Sequence, residues 1–122
     1  MNTTPNSSPK NVFKKKLKYC MVVITCPSQK EAMKIKNLLL HNRLGACANI
    51  IKGVNSFFWW HGKIDSASEV MLLAKTTRAK FKEIIACVAE VHPYDVPEII
   101  AIPIIDGNKS YLNWIDDSLK SP

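Results

Sequence analysis

The segment His92–Ile105 constrains the fold more than any other part of the chain. It contains Pro93 and Pro97, and a proline fixes its own φ, lacks a backbone N–H and disfavours helix at the residue before it. Residues 99–105 are almost entirely aliphatic and are followed by Asp106-Gly107, a pattern typical of a strand covered on both faces. The sequence therefore predicts that a helix ends before Pro93 and that a buried strand follows.

Four side chains with possible chemistry lie between that helix end and the strand: His92, Tyr94, Asp95 and Glu98. A pair of carboxylates can act as general acid and base, but acids beside prolines also commonly fix a turn. Tyr94 can equally be an interface or core ring. We take this segment as the first candidate for a site and keep the purely structural role open.

The net charge of +7 is concentrated at the N-terminus. Five lysines and no acid occur in the first eighteen residues, which leaves +2 for the rest of the chain. A folded basic face that grips nucleic acid is therefore not expected. Residues 1–16 contain only Val12 and Phe13 as large apolar side chains apart from Met1, so we predict a disordered basic tail there and one domain over residues 17–122.

The cysteines and the hydropathy pattern bear on location. Cys20, Cys26, Cys47 and Cys87 show no Cys-x-x-Cys spacing, which favours reduced thiols in a cytosolic protein. No apolar run approaches the roughly 20 residues that span a bilayer. We predict a cytoplasmic protein without a membrane partner.

Hydrophobic periodicity predicts the order of the elements. A strand over residues 17–25 is followed by a helix to about Arg43, two β-prone stretches over 46–60 and 64–76, and a second helix that ends at Pro93. The strand after Pro97 precedes a short C-terminal helix. This is the α+β, ferredoxin-like βαββαβ order with an extra C-terminal helix.

The predicted hairpin carries four consecutive aromatic residues, Phe57, Phe58, Trp59 and Trp60. Strand side chains alternate between faces, and two helices cover only one face of a sheet. Because each ring offers about 150–250 Å² of surface, an uncovered pair favours self-association through the hairpin in a closed ring. The alternative is that the C-terminal helix and Trp114 cover the rings.

Several segments together resemble the CutA (CutA1) divalent-cation tolerance family. They are Ala46–Ile51, Phe58–Ile64, Glu69-Val70 with Lys75-Thr76, His92–Ile100 and Tyr111–Ile115. The resemblance runs in unbroken order from about residue 19 to about residue 119 and leaves only the basic tail outside.

The resemblance implies a homotrimer of ferredoxin-like subunits with the hairpins around a three-fold axis, so Phe58, Trp59 and Trp60 are expected at the trimer interface. It further implies association with divalent metals, copper above all, a layout like that of the PII signalling proteins, and no established enzymatic activity. Cytosolic metal tolerance, with small-ligand sensing at subunit clefts, is the implied function.

The family's bacterial copper-site pattern is a cysteine at the end of the first strand and two adjacent histidines before Pro-Tyr. These positions fall at Ile24 and at Val91-His92, so His92 alone matches. Cys26, on the same side of the strand as Ile24, is the candidate substitute, and a Cys–His pair favours copper or zinc. The alternatives are that His92 bonds its own turn and that Cys26 is a buried apolar residue.

We expect a ligand cleft near Tyr94, Asp95 and Glu98, with Lys75 at a strand end close to it; the ordinary reading of Lys75 is a solvated side chain. Two other functions stay open. One is a trimeric scaffold or signalling module with no metal site. The other is an enzyme, for which the sequence shows neither a phosphate-binding glycine loop nor a nucleophile–base pair.

Overall fold

The computed structural model describes residues 17–121. Its four strands and three helices are β1 (Tyr19–Cys26), α1 (Gln29–His41), β2 (Cys47–Trp60), β3 (Lys63–Thr77), α2 (Phe81–Val91), β4 (Ile99–Pro103) and α3 (Lys109–Leu119). A 3-10 turn, Arg78–Lys80, leads into α2. The chain is thus α+β in the predicted order, while the predicted tail, residues 1–16, and Pro122 lie outside the described residues.

The four strands form one antiparallel sheet in the order β2-β3-β1-β4. β1 lies between β3 and β4, and its pairing with β3 runs from Tyr19 opposite Thr77 to Cys26 opposite Val70. The part of β3 before Val70 pairs with β2 alone. One half of the β2–β3 hairpin therefore belongs to the four-stranded sheet, and the other half projects as a two-stranded ribbon.

Alternate side chains of the central strands form the core with α1 and α2. Val22, Ile24 and Leu72 are fully buried against Ile35 and Ile84 from the two helices. The first helix begins at Gln29, where the Ser28 side chain caps it by accepting a hydrogen bond of 3.3 Å from the backbone N–H of Glu31. This amphipathic packing fixes the sheet face on which the helices lie.

The opposite sheet face is covered only in part, by α3. Asp116 on α3 accepts hydrogen bonds from the Tyr19 hydroxyl at 2.6 Å and from the Lys18 ammonium at 3.0 Å, and Ile115 is fully buried. Toward β4 the same face stays open, with Ile100 47% and Ile102 44% exposed.

The strand β4 is shorter and less buried than its aliphatic sequence predicts. It spans five residues, lies at the sheet edge and ends at Pro103, which has no N–H to extend the pairing. The expectation of a strand covered on both faces is wrong for the single subunit, because α3 does not reach Ile100 and Ile102.

A bulge bends β2 where the sequence places Lys52-Gly53. Pairing shifts between Ile51 opposite Met71 and Val54 opposite Glu69, so one extra residue is accommodated in β2. Gly53 has φ +73°, in the left-handed region that favours glycine. The hairpin then closes through His61-Gly62, both with positive φ.

Gly53→Ala is expected to lower the free energy of unfolding by about 1–2 kcal/mol, because an alanine at positive φ brings Cβ too close to the following carbonyl oxygen. No atom outside its chain neighbours lies within 4 Å of the added Cβ, so the cost is conformational. Gly45→Ala is the matched control: its Cβ would make ordinary contacts of 3.6 Å with Leu39 and 3.7 Å with Ala74. Urea denaturation of both variants measures the difference, and equal losses would contradict the assignment.

None of the helices in residues 17–121 is both long and apolar enough to cross a membrane.

Candidate functional site

A concave feature lies between the hairpin ribbon and the segment Pro93–Glu98. It is a groove of about 840 Å³, within the range of small-molecule sites. We call it the hairpin groove and define it by its lining: Thr25, Ser56–Trp60, Asp65–Ala67, Glu69, Pro93–Val96 and Glu98. The sequence-predicted residues Tyr94, Asp95 and Glu98 thus share one groove with the aromatic residues of β2.

A hydrogen bond between two groove residues ties the loop to the sheet. The Tyr94 hydroxyl donates to Glu69 Oε2 at 2.8 Å, and Glu69, although a carboxylate, is only 6% exposed. Burial, this hydrogen bond and the negative charge of Glu69 raise the pKa of Tyr94 to about 12. The phenol therefore stays protonated at neutral pH and fixes the position of the loop.

His92 lies at the C-terminal end of α2, and both of its ring nitrogens are hydrogen-bonded. Nε2 lies 2.7 Å from the Thr25 carbonyl oxygen, and Nδ1 accepts a 3.1 Å hydrogen bond from the backbone N–H of Tyr94. A carbonyl oxygen only accepts, so Nε2 carries the proton and the ring is the neutral Nε2–H tautomer. His92 joins the end of β1 to the turn that follows α2.

Cys26, the other predicted ligand, lies in the core at the end of β1. Cys26 is 0% exposed, and in the sheet it pairs with Val70 of β3. Burial and the charges of Glu31 and Glu69 raise the pKa of the thiol to about 11. A metal ligand is the thiolate, which this environment disfavours.

As positioned here, His92 and Cys26 do not fit a copper or zinc site. A metal needs a free imidazole nitrogen and a deprotonated sulfur, and the structure supplies neither. Over residues 17–121 no three His, Cys, Asp or Glu side chains lie close enough to hold a metal ion together.

Lys75, the fourth residue predicted for the ligand cleft, lies outside the hairpin groove. It is opposite Cys47 on the part of β3 that belongs to the four-stranded sheet, and its ammonium donates to the Asn49 side-chain oxygen. The alternation of β3 puts Lys75 and Glu69 on the same sheet face, but six residues apart. This separation is why Lys75 does not join the groove.

The hairpin aromatics are not covered within the subunit. Phe57 and Trp59 are each 73% exposed, and Phe58 and Trp60 are 38% and 49% exposed. Trp114 instead stacks on Tyr111 of its own helix, with the ring centroids 5.5 Å apart. The alternative that α3 and Trp114 cover these rings is therefore wrong.

The charged side chains that line the hairpin groove are all acidic. Asp65, Glu69, Asp95 and Glu98 line it, and no lysine or arginine is among its described lining residues. The sequence analysis named Asp95 and Glu98 as site candidates and did not name Asp65 or Glu69. Glu69 directly precedes the apolar run Val70–Ala74 and appeared only among the segments that carry the family resemblance. Asp65 gave no signal, because its place depends on the course of the ribbon.

Comparison with known proteins identifies the family. The family model described as "CutA1 divalent ion tolerance protein" matches residues 20–118. This chain belongs to the CutA1 family. The divalent-cation tolerance protein CutA of Thermus thermophilus is 42% identical over 98 residues, which cover 80% of this chain and 95% of that protein.

Solved CutA structures share the fold. The structure described as the periplasmic divalent cation tolerance protein CutA from Archaeoglobus fulgidus superposes with a TM-score of 0.81 at 43% identity, covering 84% of this chain and 99% of that one. CutA1 from Oryza sativa gives a TM-score of 0.82 at 33% identity over 86% and 96% of the two chains. The resemblance found in the sequence is thereby confirmed as CutA membership.

Stability is expected to fall at alkaline pH through Cys26 and Tyr94. The folded state raises their pKa values from 9.0 to about 11 and from 10.0 to about 12, so the unfolded chain releases these protons first. The stabilisation is complete below pH 9.0 and is lost as the pH rises through about 11 and 12. Urea midpoints measured from neutral pH upward test this expectation.

Cys26→Ala is the informative variant in that series. It should lose stability overall but show a smaller decline between pH 9.0 and about 11, because the titrating thiol is gone. Parallel pH curves for the variant and the unchanged protein would contradict the role of Cys26.

Proposed function

We propose that this CutA-family protein is a homotrimer of ferredoxin-like subunits that acts in divalent-cation tolerance, and that the hairpin groove takes a cation or a small cationic ligand. The observation that carries the proposal is the lining: four carboxylates, exposed aromatic rings and no basic side chain within the described groove. A positively charged ligand is favoured beside several carboxylates, and ligand grooves of this size are commonly lined by aromatic side chains.

The trimer is supported by the exposed rings of the ribbon. Phe58 and Trp60 lie on one face of the ribbon and Trp59 on the other, and large rings exposed in this way are unusual for a monomer. A closed ring of three would cover these rings and bring side chains of a second subunit to the groove. Within one subunit the carboxylates of the groove are too far apart to hold a metal ion together. In the proposed trimer, the neighbouring subunit would supply further ligands.

The copper assignment to His92 and Cys26 stays a prediction, and the hydrogen bonds of His92 argue against it. We place the cation instead near Tyr94, Asp95 and Glu98, in a cleft like those that PII-type proteins use to sense small ligands. The family is described by tolerance to cations rather than by a reaction, which supports a non-enzymatic role. Four free thiols support the cytoplasm as its location.

Calorimetric titration with Cu(II), Zn(II) and Mg(II), with the native mass measured on the same sample, tests the proposal. We expect trimer mass and saturable binding that Asp95→Asn with Glu98→Gln weakens at least about tenfold, since opposite charges are removed. The matched control is Asp106→Asn, an exposed acid outside the groove. Binding lost in His92→Ala but kept in the groove variant would restore the copper assignment.

A scaffold or signalling module without a metal site is the second candidate, favoured by the lack of a preformed metal cluster in the described part of the subunit. A trimer that binds none of the three ions would support it and overturn cation binding in the groove.

A further inference from the structure

Glu69 places a nearly buried carboxylate at the base of the ribbon, where β3 leaves the four-stranded sheet. The residue is only 6% exposed, and it lines the hairpin groove. Its Oε2 accepts the hydrogen bond of Tyr94, whereas Oε1 has no hydrogen-bond partner within residues 17–121. Every side-chain oxygen of this part of the chain that is sealed from solvent does have a partner. Oε1 is therefore not sealed, and the surface onto which it opens is the groove.

The charge of Glu69 is not compensated by a cation of the described residues. The two ion pairs formed in that part of the chain both involve α3, through Asp116 and Asp117. Lys52 and Lys63 of the ribbon lie outside the groove lining and form no ion pair with its acids. A carboxylate that is removed from water is costly unless a cation or further hydrogen bonds compensate it. A ligand with a positively charged N–H donor at Oε1 would supply both.

Asp65 puts a second carboxylate on the same face of the ribbon. It lies four positions before Glu69 on β3, so the two Cα atoms are about 13 Å apart at about 3.3 Å per residue. Phe58 is opposite Asp65, and the small residues Ser56 and Ala67 are opposite each other between the two acids. Directly opposite residues of two strands share a face. The two carboxylates therefore lie at the two ends of one narrow strip along the groove.

The length of this strip favours an elongated organic cation over a metal ion. Oxygen ligands lie about 2.0–2.6 Å from magnesium or calcium, so one ion does not reach both Asp65 and Glu69. A flexible chain with several ammonium groups does. Phe58 and Trp60 lie on the same face, 38% and 49% exposed, and aromatic faces attract ammonium groups and pack against methylene groups.

The hydrogen bond of Tyr94 bears on the kind of cation that fits. A guanidinium typically binds both oxygens of a carboxylate through two parallel N–H donors. At Glu69 one of the two oxygens is already occupied by the Tyr94 hydroxyl. An ammonium is a compact point charge that needs a single oxygen. The free Oε1 therefore favours an ammonium over a guanidinium.

We propose that the hairpin groove binds a linear aliphatic polyamine, with one ammonium at Glu69 Oε1, another at Asp65 and the methylene chain along Phe58. This inference rests on the proposed function, because it names the ligand class of the same groove. Asp95 and Glu98 line the groove from the loop and add negative charge for further ammonium groups. Because Glu69 lies at the base of the ribbon, this contact does not depend on which rings a second subunit covers.

Calorimetric titration of the full chain with spermine tests the ligand class. We expect saturable binding, and binding of butylamine that is at least about tenfold weaker, because its single ammonium forms only one charge-assisted hydrogen bond. Glu69→Gln keeps the shape of the side chain and removes its charge, so it should weaken spermine binding at least about tenfold. The matched control is Glu83→Gln, an exposed acid at the start of α2 and outside the groove, which should bind spermine like the unchanged protein.

Asp65→Asn is the second variant, because Asp65 is exposed and its substitution leaves the core unchanged. It should weaken spermine binding at least about tenfold and leave the binding of butylamine at Glu69 unchanged. Native mass and circular dichroism first establish that each variant is folded.

Three results would each overturn the polyamine assignment: equal affinities for spermine and butylamine, an equal loss in Glu83→Gln, or unchanged spermine binding by folded Glu69→Gln and Asp65→Asn. Parallel titrations with Zn(II) and Mg(II) separate this inference from the proposed function. Metal binding that Asp95→Asn with Glu98→Gln weakens, without spermine binding, would overturn the polyamine and leave the proposed function standing. A folded protein that binds neither spermine nor metal would overturn both.

Discussion

Trp59→Asp is expected to be monomeric, in contrast to the homotrimer that we propose for the unchanged protein. Trp59 is 73% exposed in the single subunit and lies beside Phe57 and opposite Ile64, so a partner that covers this patch removes a large apolar area from water. Tryptophans at the centre of an interface typically cost about 2–4 kcal/mol or more when they are truncated, and a buried carboxylate adds a desolvation cost. Light scattering or native mass spectrometry at fixed concentration measures the result.

The control for this experiment is Met33→Asp, which introduces the same charge at an exposed apolar residue of α1. It should keep the trimer mass. If Trp59→Asp is folded and still trimeric, the ribbon is not the interface, and another apolar surface, such as the open sheet face near Ile100, would take its place.

His92→Ala is expected to lower the free energy of unfolding by about 2–4 kcal/mol, with or without metal. The substitution leaves the Thr25 carbonyl and the Tyr94 N–H without their present partners at a residue that is only 7% exposed, and each unsatisfied buried group costs about 1–3 kcal/mol. Urea denaturation at constant protein concentration, with and without EDTA, gives the number.

The reference for His92 is His41→Ala, an exposed histidine near the end of α1 that should change stability by about 0.5 kcal/mol or less. A metal ligand would behave differently: EDTA would destabilise the unchanged protein and leave His92→Ala unaffected. That result would contradict the structural role that its two hydrogen bonds indicate.

Local rules were enough to predict most of the elements from the sequence. Hydrophobic periodicity predicted the order of the strands and helices, and Pro93 fixed the end of α2. Such signals act over a few residues, so they can be interpreted from the sequence without knowing the tertiary fold.

The site was less predictable because it depends on distant contacts. Glu69 reaches Tyr94 across 25 positions of sequence, and Thr25 reaches His92 across 67. The residue types at 92 and 26 suggested a metal pair, yet their hydrogen bonds and burial decide what they can do. The position of Lys75 relative to the groove was unpredictable for a similar reason, since a strand position fixes a face but not the distance along the strand.

The half of the hairpin that pairs with no third strand is expected to open locally. From Lys63 to Glu69, β3 is bonded to β2 alone, and a two-stranded ribbon in water is marginally stable by itself. The amide hydrogens of this ribbon should therefore exchange with solvent through a local opening that leaves the four-stranded sheet intact. The amide hydrogens of Val70–Thr77 should exchange only through global unfolding. The ribbon is a separate opening unit, and anything that seats on it slows its exchange without touching the core.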